Sequence, residues 1–281
     1  MKLIECPRDA MQGLHDYIPA KIKAEYINLL LQVGFDTIDF GSFVSPNAVP
    51  QLRDTAEVLD LLDLNSSNSK LLAIVANLRG VEEAIKHEQI SYLGFPFSIS
   101  ETFQKRNTNS SMKESLCTVA ELLSACDKSK KKAVIYLSMA FGNPYDDVWS
   151  NEIAEHWTSE LVKIGVEIIS LSDTTGVSTP EKIRHLFPHL QSQFSAIEFG
   201  LHLHSTPSSS YEKLAAAWDS GCRRFDSALR GFGGCPMATD NLTGNIATEA
   251  LISFLNERGE QHNLNVDIWA QAMLFSNKIF G

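Results

Sequence analysis

The chain has 281 residues, 44% of them hydrophobic and 21% charged, with a formal net charge of −10. This suits one large soluble domain with a sizeable core, and the acidic balance argues against general nucleic-acid binding. No apolar run reaches membrane-span length, no signal peptide is expected at Met1-Lys2-Leu3, and five cysteines without CxxC spacing (Cys6, Cys117, Cys126, Cys222, Cys235) argue against a disulfide scaffold or structural zinc and fit a reducing cytoplasm.

The first predicted strand is Leu3-Ile4-Glu5-Cys6, stopped by Pro7, with Arg8-Asp9 directly after it. Ile22, Tyr26, Leu29, Leu30 and Val33 then recur at spacings of three and four, which predicts a helix closed by Gly34 as a left-handed cap. Thr37 to Phe40 reads as a second strand. The same cassette of helix, glycine, short apolar strand and polar loop recurs around Gly165 and Gly221. Further strands are predicted at Leu71–Val75, Ile90–Gly94, Ala133–Ser138, Val166–Leu171, Ile197–Leu203 and Cys222–Ser227. Helices are predicted at Thr55–Leu62, Val81–His87, Met112–Cys126, Asn151–Ile164, Pro180–Phe187 and Leu214–Trp218, with two more at Asn245–Asn256 and Val266–Lys278. Apolar strands alternating with amphipathic helices mean a parallel sheet. Eight such units in this length predict an α/β fold, a (β/α)8 TIM barrel with extra C-terminal helices, as a single domain over 1–281. An open doubly wound sheet is the second choice, weakened because no Gly-x-Gly-x-x-Gly follows the first strand.

A barrel of this kind carries its site at the C-terminal ends of the strands. The polar residues that fall there are Arg8, Asp9, Asp39, Asn77, Ser138, Ser170, Asp173, His202, His204 and Ser227. His202 and His204 are two apart on a strand and project to one side. With Asp9 they make a carboxylate–imidazole set suited to Mg²⁺, Mn²⁺ or Zn²⁺. Asn245 is either a helix cap or a further ligand through its carbonyl oxygen. Gly231-Phe232-Gly233-Gly234-Cys235 forms a glycine-rich loop expected to expose Cys235, whereas Cys117, Cys126 and Cys222 are expected to be small buried hydrophobes.

Several stretches together resemble the 3-hydroxy-3-methylglutaryl-CoA lyase family of the DRE-TIM metallolyase group. They are Pro7-Arg8-Asp9 with Gln12, Ser42-Phe43-Val44-Ser45-Pro46, Glu101 to Asn107, and Ser170-Leu171-Ser172-Asp173-Thr174. His202-Leu203-His204, Gly233-Gly234-Cys235-Pro236 and Gly244-Asn245 complete the set, in family order from Pro7 to Glu249. The resemblance implies Mg²⁺ or Mn²⁺ held by Asp9, His202, His204 and Asn245. It implies an acyl-CoA thioester substrate contacted by Gln12, Ser42, Ser170 and Asp173, with Lys105 and Arg106 as candidates for the CoA portion. Arg8, Asp9, Asp39 and Cys235 are the implied catalytic set, with Arg8 polarising the thioester carbonyl and Cys235 as a mobile acid. The implied reaction is retro-Claisen cleavage to acetyl-CoA and acetoacetate by a homodimer, with no nucleic-acid or membrane partner. The family usually has Glu at the position of Asp39 and Asp at that of Ser205. Related acyl-CoA lyases, homocitrate- or isopropylmalate-type synthases and a non-catalytic CoA- or metal-binding paralogue are the alternatives.

Overall fold

Alternation of side chains across eight short strands decides the architecture. In a computed structural model describing residues 1–234 and 243–281, the strands are parallel and close into a barrel in sequence order. They are β1 (Lys2–Glu5), β2 (Thr37–Ser42), β3 (Lys70–Ile74), β4 (Ile90–Ser98), β5 (Lys132–Ser138), β6 (Ile168–Ser172), β7 (Glu198–His202) and β8 (Arg224–Ser227). The described helices are α1 (Pro7–Gln12), α2 (Ala20–Val33), α3 (Thr55–Asp60), α4 (Leu78–Ala84), α5 (Glu101–Thr108), α6 (Met112–Lys128), α7 (Asn151–Lys163) and α8 (Pro180–Gln193). They continue with α9 (Ser210–Asp219), α10 (Thr248–Glu257), α11 (Val266–Phe275) and α12 (Asn277–Phe280). The predicted (β/α)8 barrel with C-terminal helices is therefore the fold. No helix among the described residues is long and apolar enough to cross a membrane.

One residue in two along each strand joins the main core between barrel and helices, including Leu3, Phe40, Phe95, Ile135, Leu171, Leu201 and Phe225. The intervening residues face the barrel axis. There Leu72, Ile74, Val134, Tyr136 and Ile168 form a separate apolar cluster. The N-terminal floor is ionic: Glu198 Oε1 accepts from Arg224 at 3.2 Å, and Lys2 Nζ lies 2.7 Å from Glu198 Oε2. Gly34 ends α2 at φ 91°, a left-handed cap as expected.

Five local features depart here from the pattern read in the sequence. Residues 7–12, expected as loop, form α1, with Pro7 at its first position, where a missing N–H costs nothing. Glu101–Thr108 is likewise helical, capped by Ser100 accepting from the Phe103 amide. Strand β4 runs through Pro96 to Ser98 instead of ending at Gly94. Pro96 lies beyond the last β3–β4 pair, Ile74↔Gly94, where β4 is partnered on one side only. Helix α8 continues past Pro188 to Gln193, because Phe187 and Leu190 remain buried on either side of it. Cys117, expected to be buried, is exposed on α6.

A register shift in β2 matters for the site. Asp39 pairs with Leu72 and Gly41 with Ala73, so Phe40 is a bulged extra residue. The bulge lets Asp39 turn to the axis, Phe40 enter the outer core and Ser42 turn inward again. Gly41 then lies against Thr55 of α3, where an added Cβ would come within 2.5 Å of Thr55 Cγ2.

Candidate active site

A cavity of about 350 Å³ opens at the C-terminal end of the barrel, lined among others by Arg8, Asp9, Gln12, Ser42, His202 and His204. Helix α1 builds one wall. Arg8 and Gln12 sit one turn apart on it, so both reach the axis with Asp9 beside them. Arg8 Nη1 donates to Gln12 Oε1 at 3.0 Å and to Asp9 Oδ1 at 3.1 Å. Arg8 Nε donates to both Asp39 oxygens at 3.2 and 3.0 Å, and Nη2 to Oδ2 at 2.5 Å. The guanidinium is thus clamped between two carboxylates and keeps its charge although buried.

The carboxylates differ in consequence. Burial pushes Asp39 up to about 6, with Arg8 only partly offsetting it. Burial acts the same way on Asp9, but Arg8, the two imidazoles and Asn245 outweigh it and bring the carboxyl to about 2. Asp9 is therefore an anion facing the cavity.

Strand β7 brings in His202, and His204 follows just past its end. Their Nε2 atoms are 3.2 Å apart. Asp9, His202 and His204 each offer a ligand atom, all within 4.8 Å of one another and all buried. Burial lowers His204 to about 4, with His202 adding to the effect. Burial opposes the charged form of His202 as well, but Asp226 and Asp9 more than compensate and raise it. Asn245 is not a helix cap, since α10 begins at Thr248 with Ala247 as its N-cap. It bridges to His204 across an antiparallel pair, and its Nδ2 donates to Asp9 Oδ2 at 2.6 Å. Asn245 Oδ1 and His204 Nδ1 are buried with no hydrogen-bond partner among the described residues. An orphaned amide oxygen beside a carboxylate and two imidazole nitrogens fits a divalent cation. Gly233 makes room for it: a Cβ there would sit 2.2 Å from Asn245 Nδ2 and 2.7 Å from Asp9 Oδ2, and its φ of +121° also disfavours a side chain.

The remaining predicted residues separate into two groups. Gln12 and Ser42 reach the cavity, and Gln12 Nε2 also donates to Asp9 Oδ1 at 2.8 Å. Ser170 and Asp173 are not brought to the cavity wall; Ser172 and Thr174, their neighbours on the chain, line it instead. Asp173 accepts from Ser178 and, at 2.9 Å, from the buried Lys213. Ser170 Oγ turns to Asp226 at 3.4 Å. Asn77 caps α4 and also lines the cavity, while Ser227 faces outward to Thr248. Arg106 lines the cavity mouth, whereas Lys105 pairs with Glu101 on the surface. Cys235 lies outside the described residues.

Sequence reasoning passed over Asp226 and Lys213. A charged residue inside a short apolar strand was the available signal for the first. The second, on an ordinary helical face, gave none.

Fold and site together define a (β/α)8-barrel enzyme whose reacting groups gather at the C-terminal rim. The chain matches the HMGL-like family over residues 3–273 and belongs to that family. It is 32% identical over 271 residues to the cytoplasmic 3-hydroxy-3-methylglutaryl-CoA lyase of Rattus norvegicus, covering 95% of this chain and 77% of that protein. It is 33% identical over 273 residues to the 3-hydroxy-3-isohexenylglutaryl-CoA/hydroxy-methylglutaryl-CoA lyase of Pseudomonas aeruginosa, covering 96% and 89%. Among solved structures, an HMG-CoA lyase from Acinetobacter baumannii in complex with coenzyme A and 3-methylmalate aligns with a TM-score of 0.92 at 30% identity. That alignment covers 99% of this chain and 90% of the other.

Proposed function

We propose that this chain cleaves 3-hydroxy-3-methylglutaryl-CoA to acetyl-CoA and acetoacetate in a reaction that depends on Mg²⁺ or Mn²⁺. The observation that carries this reading is the row Asp39–Arg8–Asp9 running directly into the His202–His204 pair at the base of one cavity. Asp9, His202, His204 and Asn245 are the residues that would hold the ion. Bound there, it would act as a Lewis acid toward the substrate's tertiary hydroxyl and lower its pKa.

The residues of the chain account for the rest. The tertiary hydroxyl gives up its proton to a general base and becomes the ketone of acetoacetate as the bond between C2 and C3 breaks. The electron pair passes to the thioester enolate, whose oxygen develops negative charge. Arg8 is a fixed, permanently charged donor at the cavity wall, suited to meet that oxygen. Asp39 holds the guanidinium flat and leaves part of it to face substrate. Protonation of the enolate carbon completes acetyl-CoA, and we assign that proton to Cys235 on the strength of the family resemblance. Arg106 at the mouth is the cation best placed for the phosphates of CoA. A reducing compartment such as the cytoplasm suits the free Cys6, Cys117, Cys126 and Cys222.

The test is turnover of 3-hydroxy-3-methylglutaryl-CoA by purified protein with added Mn²⁺, the products being identified by mass, with 3-hydroxy-3-isohexenylglutaryl-CoA run in parallel. Formation of acetyl-CoA and acetoacetate is expected. Tight CoA binding without cleavage of either substrate would leave only a binding protein.

A further inference from the structure

The two imidazoles at the rim are held differently. His202 pairs with Asp226 in the parallel register of β7 and β8, and both side chains turn to the axis. His202 Nδ1 is 3.3 Å from Asp226 Oδ2. A carboxylate facing the ring accepts, so in the neutral imidazole the proton sits on Nδ1, which leaves Nε2 with a free lone pair. That Nε2 is the nitrogen beside His204 Nε2. Ser170 Oγ donates to the same Asp226 oxygen at 3.4 Å, and the Asp226 side chain is fully enclosed. His204, by contrast, has no partner for Nδ1 among the described residues. Its position is fixed through its backbone, where Lys213 Nζ donates to the carbonyl at 2.7 Å.

We propose that Asp226 is a positioning residue of the metal centre, fixing His202 as the Nδ1–H tautomer and presenting its Nε2 lone pair to the ion, with Ser170 steadying the carboxylate from behind. This rests on the reading of Asp9, His202, His204 and Asn245 as a metal site. It gives Ser170 a role that does not touch substrate. The Asp226 charge, delivered through the ring, makes His202 the stronger donor of the two histidines. Cys6, His202 and Asp226 also have ligand atoms within 4.8 Å of one another, so the competing use of this carboxylate is as a ligand to a second ion.

Two measurements on the full chain decide between these. The first is ¹⁵N NMR of histidine-labelled, metal-free protein, which reads the ring tautomer without any ion. At a pH where the ring is neutral, His202 is expected as the Nδ1–H tautomer in the wild type, and a neutral Nε2–H tautomer would overturn the proposal. The second is Mn²⁺ binding by calorimetry on wild type, Asp226→Asn and Ser170→Ala, alongside thermal melting without metal. Asp226→Asn is expected to weaken one Mn²⁺ equivalent by about 10- to 100-fold, the scale of lost outer partners, without lowering the metal-free melting point. Ser170→Ala is expected to lose less. Unchanged affinity in Asp226→Asn would overturn the proposal, as would a second Mn²⁺ equivalent that vanishes in that variant. If Asp226→Asn does not fold, the wild-type tautomer and the Ser170→Ala affinity decide instead: an Nδ1–H ring with weakened Mn²⁺ binding supports the proposal, and unchanged binding overturns it. Absence of Mn²⁺ binding by the wild type would refute the metal-site reading itself, while the metal-free spectrum would still report on Asp226.

Discussion

The outer and inner faces of the barrel wall are made from the same strands but obey different rules. Facing the helices, β6 presents Ile169 and Leu171 and β8 presents Phe225, all within one continuous core. Facing the axis, the same strands present Ser170, Ser172, Arg224 and Asp226, all buried. The outer face is held by packing, which is non-directional and additive over many contacts. The inner face is held by paired charges and directed hydrogen bonds, in which removing one partner strands another. It is also divided: β3, β5 and β6 supply an apolar wall, while β1, β2, β7 and β8 carry the ionisable groups. Stability and chemistry are thus assigned to opposite sides of one sheet.

Substitutions should separate the two faces. The largest effect on stability is expected from Phe95→Ala in the outer core, at about 3–5 kcal/mol. Denaturant melts would read it, and the folded enzyme should keep its wild-type Michaelis constant; a changed Michaelis constant would mean that the two faces are not independent. Arg8→Gln on the inner face should lower turnover by roughly two orders of magnitude while Mn²⁺ affinity holds. A variant that only raised the Michaelis constant would make Arg8 a binding group. Gly233→Ala should weaken Mn²⁺ about 10-fold or more, because its Cβ would press on Asn245 and Asp9. Calorimetry would show this, and full affinity would mean that the cradle opens without cost.

At Glu5, the outer-face exception, the effect shows only when the pH is raised. Glu5 is buried against Thr248 and the Leu229 amide, and burial raises its carboxyl from 4.5 to about 8. The folded state then holds a proton that the unfolded chain releases near 4.5. The stability this gives is complete below that pH and is lost as pH rises through about 8. Glu5→Gln mimics the protonated acid, since its amide can donate to Thr248 while its oxygen accepts from Leu229. It should melt on the order of 10 °C above wild type at pH 9 and close to it at pH 4 (about 2–4 °C per kcal/mol at this size). Equal melting points at both pH values would show that Glu5 ionises freely in the fold.

Much of the barrel could be read from the chain because short strands and glycine caps punctuate it regularly. The rim residues Arg8, Asp9, His202 and His204 followed from strand ends alone. What escaped depended on neighbours far away in sequence. Pro96 is tolerated because β3 ends beside it, and α8 runs through Pro188 because Phe187 and Leu190 are buried. Ser170 and Asp173 were expected at substrate, but their partners Asp226 and Lys213 lie 56 and 40 residues away. Those pairings are set by closure of the barrel, which no local pattern displays.

The extra residue at Phe40 gives β2 something like a reading frame. Before it, odd-numbered positions look toward the axis; after it, the parity is reversed, which is how Asp39 and Ser42 come to share one interior. Replacing Phe40 alters only the fit of one side chain against the helices. Without the bulge the same residues in an ideal ladder would put Asp39 and Ser42, three apart, on opposite faces: Ser42 in the cavity would turn Asp39 into the apolar layer under the helices with no cation to meet it, and Asp39 on Arg8 would remove Ser42. With three residues from one group to the other, the strand holds both in one chamber only because the bulge absorbs Phe40.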